Sequence, residues 1–69
     1  MNQIGSKVRE LRLAADMTQA EFATRCDLVG LNISRGTVSK IESQVRRITN
    51  DEVEYLAKAL KVGVSELYK

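Results

Sequence analysis

The sequence predicts an all-α domain of five short helices. Apolar residues recur three and four positions apart, hydroxyl residues stand where helices need caps, and no apolar–polar alternation runs long enough for a strand. The chain contains no proline, repeat or low-complexity tract. Its 69 residues form one expected domain, 1–69. A domain of that size buries only about 60% of the surface its unfolded chain exposes, so the core is thin.

Ile4, Val8, Leu11 and Ala15 share one face of a first helix spanning about residues 4 to 15, and the chain turns at Asp16. Thr18 with Glu21 three residues later makes a capping box for a second helix. The buried stripe of that helix is Phe22, Ala23 and Cys26, and Gly30 and Asn32 keep it from running far beyond residue 28. Ser34 caps a third helix with Val38 and Ile41 turned inward. Thr49 and Glu52 form a second capping box, opening a fourth helix with Val53, Leu56, Ala57 and Leu60 inside, to about Lys61. Gly63 ends the connection, and Ser65 to Tyr68 begins a short fifth helix.

Composition narrows the function. One cysteine permits no intrachain disulfide, and with a single thiol and no histidine a structural zinc site of four nitrogen or sulfur ligands is excluded. Cys26 is expected to fill an apolar slot. No stretch approaches the roughly 20 apolar residues of a membrane span, and the N-terminus lacks the pattern of a secretory signal. A cytoplasmic protein with no membrane association is expected. The net charge of +2 decides nothing, but residues 35–47 hold Arg35, Lys40, Arg46 and Arg47 against Glu42 alone. Asp51 and Glu52 are not a catalytic pair in this reading, because acids in a first helical turn favour the helix dipole.

Two consecutive helices, each opened by a hydroxyl cap, suit a helix-turn-helix, whose second helix enters the DNA major groove with its first turns facing base edges. Arg35, at the first helical position, has a guanidinium that can reach both acceptors of a guanine. Gly36 costs about 1 kcal/mol relative to alanine within a helix, so it needs a reason, such as close approach of another surface. Thr37, Ser39 and Lys40 complete the expected base-facing set. Thr18 and Gln19, at the start of the preceding helix, are expected at a phosphate, aided by free N–H groups and the helix dipole. Ser43, Gln44, Arg46 and Arg47 are expected on the backbone beyond the reading helix.

MTQAEFA, followed by SRGTVSKIE and VEYLAKALKVGVSELY, resembles the helix-turn-helix domain of the phage repressor and Cro type, the Xre-like regulators. The resemblance spans roughly residues 4 to 68. It implies a lambda-repressor-like bundle of five helices that binds double-stranded operator DNA, acts as a homodimer there and needs no cofactor. It also implies an ion pair between Arg12 and Glu42. Two departures stand out. Asp16 replaces the family's usual glycine, and aspartate tolerates the left-handed conformation. The turn DLVGLNI, Asp27 to Ile33, is about five residues longer than usual, and the extra loop is a candidate to approach DNA or a partner.

The expected function is sequence-specific transcriptional regulation, as a repressor, without enzymatic activity. The alternative is an antitoxin-like or other protein-interaction module. Val64, Leu67 and Tyr68 are the expected dimer seam, the alternative being that all three point inward to fill the core. Because no capping or core role is visible in Leu28 to Asn32, a shorter turn there is expected to leave the fold intact.

Overall fold

A computed structural model describes residues 4–69 and contains five α-helices: α1 Ile4–Ala14, α2 Gln19–Val29, α3 Arg35–Glu42, α4 Asn50–Leu60 and α5 Val64–Leu67. No strand occurs among the described residues. Helix α2 packs against α4 and α3, α1 lies across α3 and α4, and α5 closes on α4 and α1. One cluster centred on Val8, Phe22, Cys26, Val38, Leu56, Ala59 and Leu67 fills the space between them.

The caps form as the hydroxyl positions require. Thr18 Oγ1 accepts the Glu21 N–H at 3.1 Å while a Glu21 carboxylate oxygen accepts the Thr18 N–H at 2.8 Å. Thr49 and Glu52 repeat the arrangement at the start of α4. Ser34 Oγ accepts the Thr37 N–H and so opens α3. Each reciprocal box satisfies two of the donors that a helix start leaves without partners.

Helix α1 buries a different stripe from the one its apolar residues suggest. Gly5, Val8 and Arg12 are the buried positions, Ile4 and Leu11 lie at the flanks, and Ala15 is exposed beyond the helix end. Gly5 is inside because a backbone occupies the space its Cβ would need: a Cβ built there would lie 2.0 Å from the Ile41 carbonyl oxygen. Arg12 is inside because Glu42 neutralises it. Asp16 has a φ of 60°, the left-handed turn that its replacement of glycine demands.

The long turn also departs from expectation. Helix α2 absorbs Asp27 to Val29 and ends on Gly30, whose φ of 108° few residues but glycine adopt. The Tyr55 ring of α4 rests on that glycine, with Lys58 Nζ 5.8 Å from the ring centroid. Val29, Leu31 and Ile33 pack against the core, while Leu28 stands exposed. Shortening residues 28 to 32 would therefore remove packed apolar surface, contrary to the expectation of a dispensable loop. The C-terminal apolar residues divide as well. Leu67 is 2% exposed and belongs to the core, leaving only Val64 and Tyr68 at the surface.

Candidate nucleic-acid interface

Helix α3 has eight residues and two faces. Val38, Ile41 and Glu42 point inward, whereas Arg35, Gly36, Ser39 and Lys40 are exposed and Thr37 is half-buried beside its cap. Thr37 Oγ1 lies 3.2 Å from Ser34 Oγ, which holds that hydroxyl against the helix start.

Two helices, α1 and α2, fix the orientation of α3 through one carboxylate. Arg12 Nε and Nη2 donate to Glu42 at 2.7 and 3.0 Å, and Gln19 Nε2 donates to the same carboxylate at 3.2 Å. Arg12 Nη1 donates to the Met17 carbonyl at 2.7 Å, tying in the α1–α2 turn as well. The Arg12 and Glu42 side chains are only 8% and 3% exposed. The hydrogen bond from Arg12 to Glu42, outweighing desolvation, holds the guanidinium proton more firmly than usual. A buried charge must be paired to be tolerable, and here both are.

This network changes the electrostatics of the outer face. Glu42 is the single acid of α3, and it is turned inward and neutralised. What α3 presents outward is Arg35 and Lys40, whose side chains make no hydrogen bond or ion pair among the described residues. Gly36 lies between them, and a Cβ built there would meet only Ser34 Oγ at 3.7 Å. Nothing inside the protein excludes a side chain at that position.

The expected phosphate-facing residues are more heavily engaged. Thr18 is committed to its capping box, although the first N–H groups of α2 remain without helical partners. Gln19 spends one amide N–H on Glu42 and keeps a second. Ser43 Oγ donates to the Lys40 carbonyl at 3.2 Å, and Gln44 Nε2 bonds to Ser6 Oγ from a backbone φ of 67°. Arg46 is engaged by α4: Nη1 and Nη2 grip the Glu52 carboxylate at 3.0 and 2.7 Å. That guanidinium reaches a phosphate only by leaving Glu52. Arg47 is exposed, with no side-chain hydrogen bond among the described residues.

Gly5, Ser6 and Glu52 have structural roles at this surface that residue patterns did not assign. A signal existed for Gly5, since glycine within a helix costs about 1 kcal/mol relative to alanine and so asks for a reason. Glu52 was legible as a cap but not as the partner of Arg46. Its carboxyl is held below the usual carboxylate range, first by the Arg46 hydrogen bonds and then by the Thr49 N–H, against desolvation. Burial pushes the Cys26 thiol up to about 11, so at neutral pH it is an unreactive packing group. No metal-binding cluster occurs among the described residues, and no helix of theirs is long and apolar enough to cross a membrane.

Comparison with known proteins gives the same architecture a family. The helix-turn-helix family matches residues 8–67. Control protein C.BamHI of Bacillus amyloliquefaciens is 38% identical over 64 residues, covering 91% of this chain and 73% of the relative. No solved structure matches. The chain thus belongs to the helix-turn-helix family, among the DNA-binding regulators of the phage repressor and Cro type.

Proposed function

We propose that this protein is a sequence-specific repressor that lays the outer face of α3 in the major groove of operator DNA. The observation that carries this reading is the sidedness of α3. Its only acid is buried against Arg12, while Arg35 and Lys40 project outward with no protein partner among the described residues. Gly36 adds support, because it forgoes about 1 kcal/mol of helix propensity where the protein itself would accept a side chain. Close approach of a groove supplies the missing reason.

In this reading Arg35 takes a guanine through its two groove acceptors, and Thr37, Ser39 and Lys40 contact neighbouring positions. The start of α2, with Thr18 and Gln19, sits on a phosphate on one side. Ser43, Gln44 and Arg47 follow the backbone on the other. The protein acts by occupancy, in the cytoplasm where the DNA lies. It does so as a homodimer on two half-sites about one helical turn apart, the usual arrangement for such helices. Exposed Val64 and Tyr68 are the candidate seam. The relative's description as a control protein agrees with a regulatory role.

Selection of bound sequences from random DNA, followed by salt-dependent binding of variants, tests the assignment. Arg35→Ala should cost about 1–3 kcal/mol on the selected site and relax the preference at one base position. Arg47→Ala should weaken selected and scrambled DNA alike and reduce the salt slope by about one unit. If Arg35→Ala weakens both DNAs equally, Arg35 is a backbone contact and the groove reading of α3 is wrong at that residue. A one-to-one complex on a full site would overturn the dimer.

A further inference from the structure

The loop after α3 folds back on the reading helix. The N–H groups of Val45 and Arg46 both point to the Lys40 carbonyl, at 3.1 and 3.3 Å. Arg46 therefore starts from the edge of the basic face, although its guanidinium ends on Glu52 of α4. Carboxylate and phosphate present the same two-oxygen fork to a guanidinium, so Glu52 holds Arg46 as a DNA backbone would. We propose that Glu52 is an internal competitor for a DNA phosphate at Arg46, and so sets the strength of sequence-independent binding. The inference rests on the DNA-binding reading above.

Two features make the exchange feasible. The pair is only partly buried, with side chains 34% and 15% exposed, so water and a phosphate can reach it. Glu52 is also independently held, because its Oε1 accepts the Thr49 N–H at 3.0 Å within the capping box. When Arg46 leaves, the carboxylate stays in place with a hydrogen-bond donor still on it. Every DNA contact by Arg46 must then be won from a fixed negative charge. That charge acts alike on all sequences, because it bears on the backbone and not on base edges. Departure of Arg46 also removes the largest cause of the depressed Glu52 proton affinity, so that affinity rises on binding.

Glu52→Gln separates the two duties of this side chain, since glutamine still completes a capping box but carries no charge. The measurement is the dissociation constant for a scrambled duplex at one low salt concentration. It is made for the wild-type protein, Glu52→Gln, Arg46→Ala and the double variant, with thermal melts confirming that each is folded. Glu52→Gln should tighten binding roughly threefold to fivefold, the scale of a partly exposed ion pair. In the Arg46→Ala background the same change should have almost no effect. Equal tightening in both backgrounds would reduce Glu52 to a distant charge and overturn the proposal. Weaker binding by Glu52→Gln would also overturn it, making the glutamate a support that aims Arg46 at DNA. Both results leave the reading of α3 standing. A wild-type protein that binds no DNA, selected or scrambled, removes that reading and this inference together.

Discussion

The α1–α3 contact and the α3–α4 loop each contain an arginine that grips a glutamate through two hydrogen bonds. At the first, Arg12 and Glu42 are 8% and 3% exposed, come from positions 30 residues apart and share their carboxylate with Gln19. At the second, Arg46 and Glu52 are 34% and 15% exposed and only six residues apart. The bond lengths are nearly the same. What differs is the alternative available to each charge. Arg12 has no water to return to if Glu42 is lost, so its pair is a condition of folding. Arg46 can exchange its carboxylate for solvent or another anion, so its pair is adjustable. Desolvation, more than geometry, separates a strut from a regulator of binding.

The largest effect should come from breaking the first pair. Glu42→Ala leaves a buried guanidinium uncompensated, at a cost of about 3–5 kcal/mol. Marginal stability of roughly 0.05–0.15 kcal/mol per residue means that this approaches the whole stability of so small a domain. Urea melts or circular dichroism should therefore find Glu42→Ala barely folded. Arg12→Ala should also be damaging, and the double variant should lose less than the sum, with a coupling of roughly 0.5–3 kcal/mol. Strictly additive losses would show that the two sites are not different in kind.

The next largest effect asks how much of the α1–α3 seating belongs to the ion pair at all. Gly5→Ala should gain about 1 kcal/mol from helix propensity alone. The new Cβ would instead meet the Ile41 carbonyl at 2.0 Å, and overpacking of this kind costs typically about 1–3 kcal/mol. A net fall in melting temperature is expected. A rise would mean that α1 can slide on α3 and that the ion pair alone fixes α3.

The smallest effect concerns the second pair and acid. Glu52 has a folded proton affinity below its ordinary value of 4.5. Its contribution is present above that ordinary value and is lost as the pH falls through the lower folded one. Because the pair is partly exposed and screened, this contribution is at most about 1 kcal/mol. Stability measured downward from pH 5 should decline less steeply in Arg46→Ala than in the wild-type protein. Parallel acid limbs would mean that the pair contributes nothing to folding.

The helices were legible because their signals are local. Thr18, Ser34 and Thr49 cap within four residues of themselves, and the stripes of α2 and α4 repeat at the helical period. Val38 and Ile41 turn inward as their spacing requires. The roles of Gly5 and Arg12 were less legible from residue patterns, because both depend on α3 passing over α1. Arg12 became visible only through resemblance to a family. Leu31 and Ile33 read as loop because two apolar residues in a segment without regular structure have no period to declare them. Arg46 looked like a free cation because a capping glutamate advertises its backbone partner and not the guanidinium that also reaches it.

The passage of the Ile41 carbonyl over Gly5 has one more consequence, for how such a domain changes its target. Helix α3 is located by a backbone-to-backbone contact and a buried charge, both on its buried side. Its outward letters, Arg35, Ser39 and Lys40, are absent from that seating. They can be exchanged for others while the helix stays at the same depth and angle. On the proposed reading of α3, specificity and scaffold are thereby written in separate sets of residues. On that reading a new operator can be acquired on an old frame, one side chain at a time, with the seating of α3 untouched.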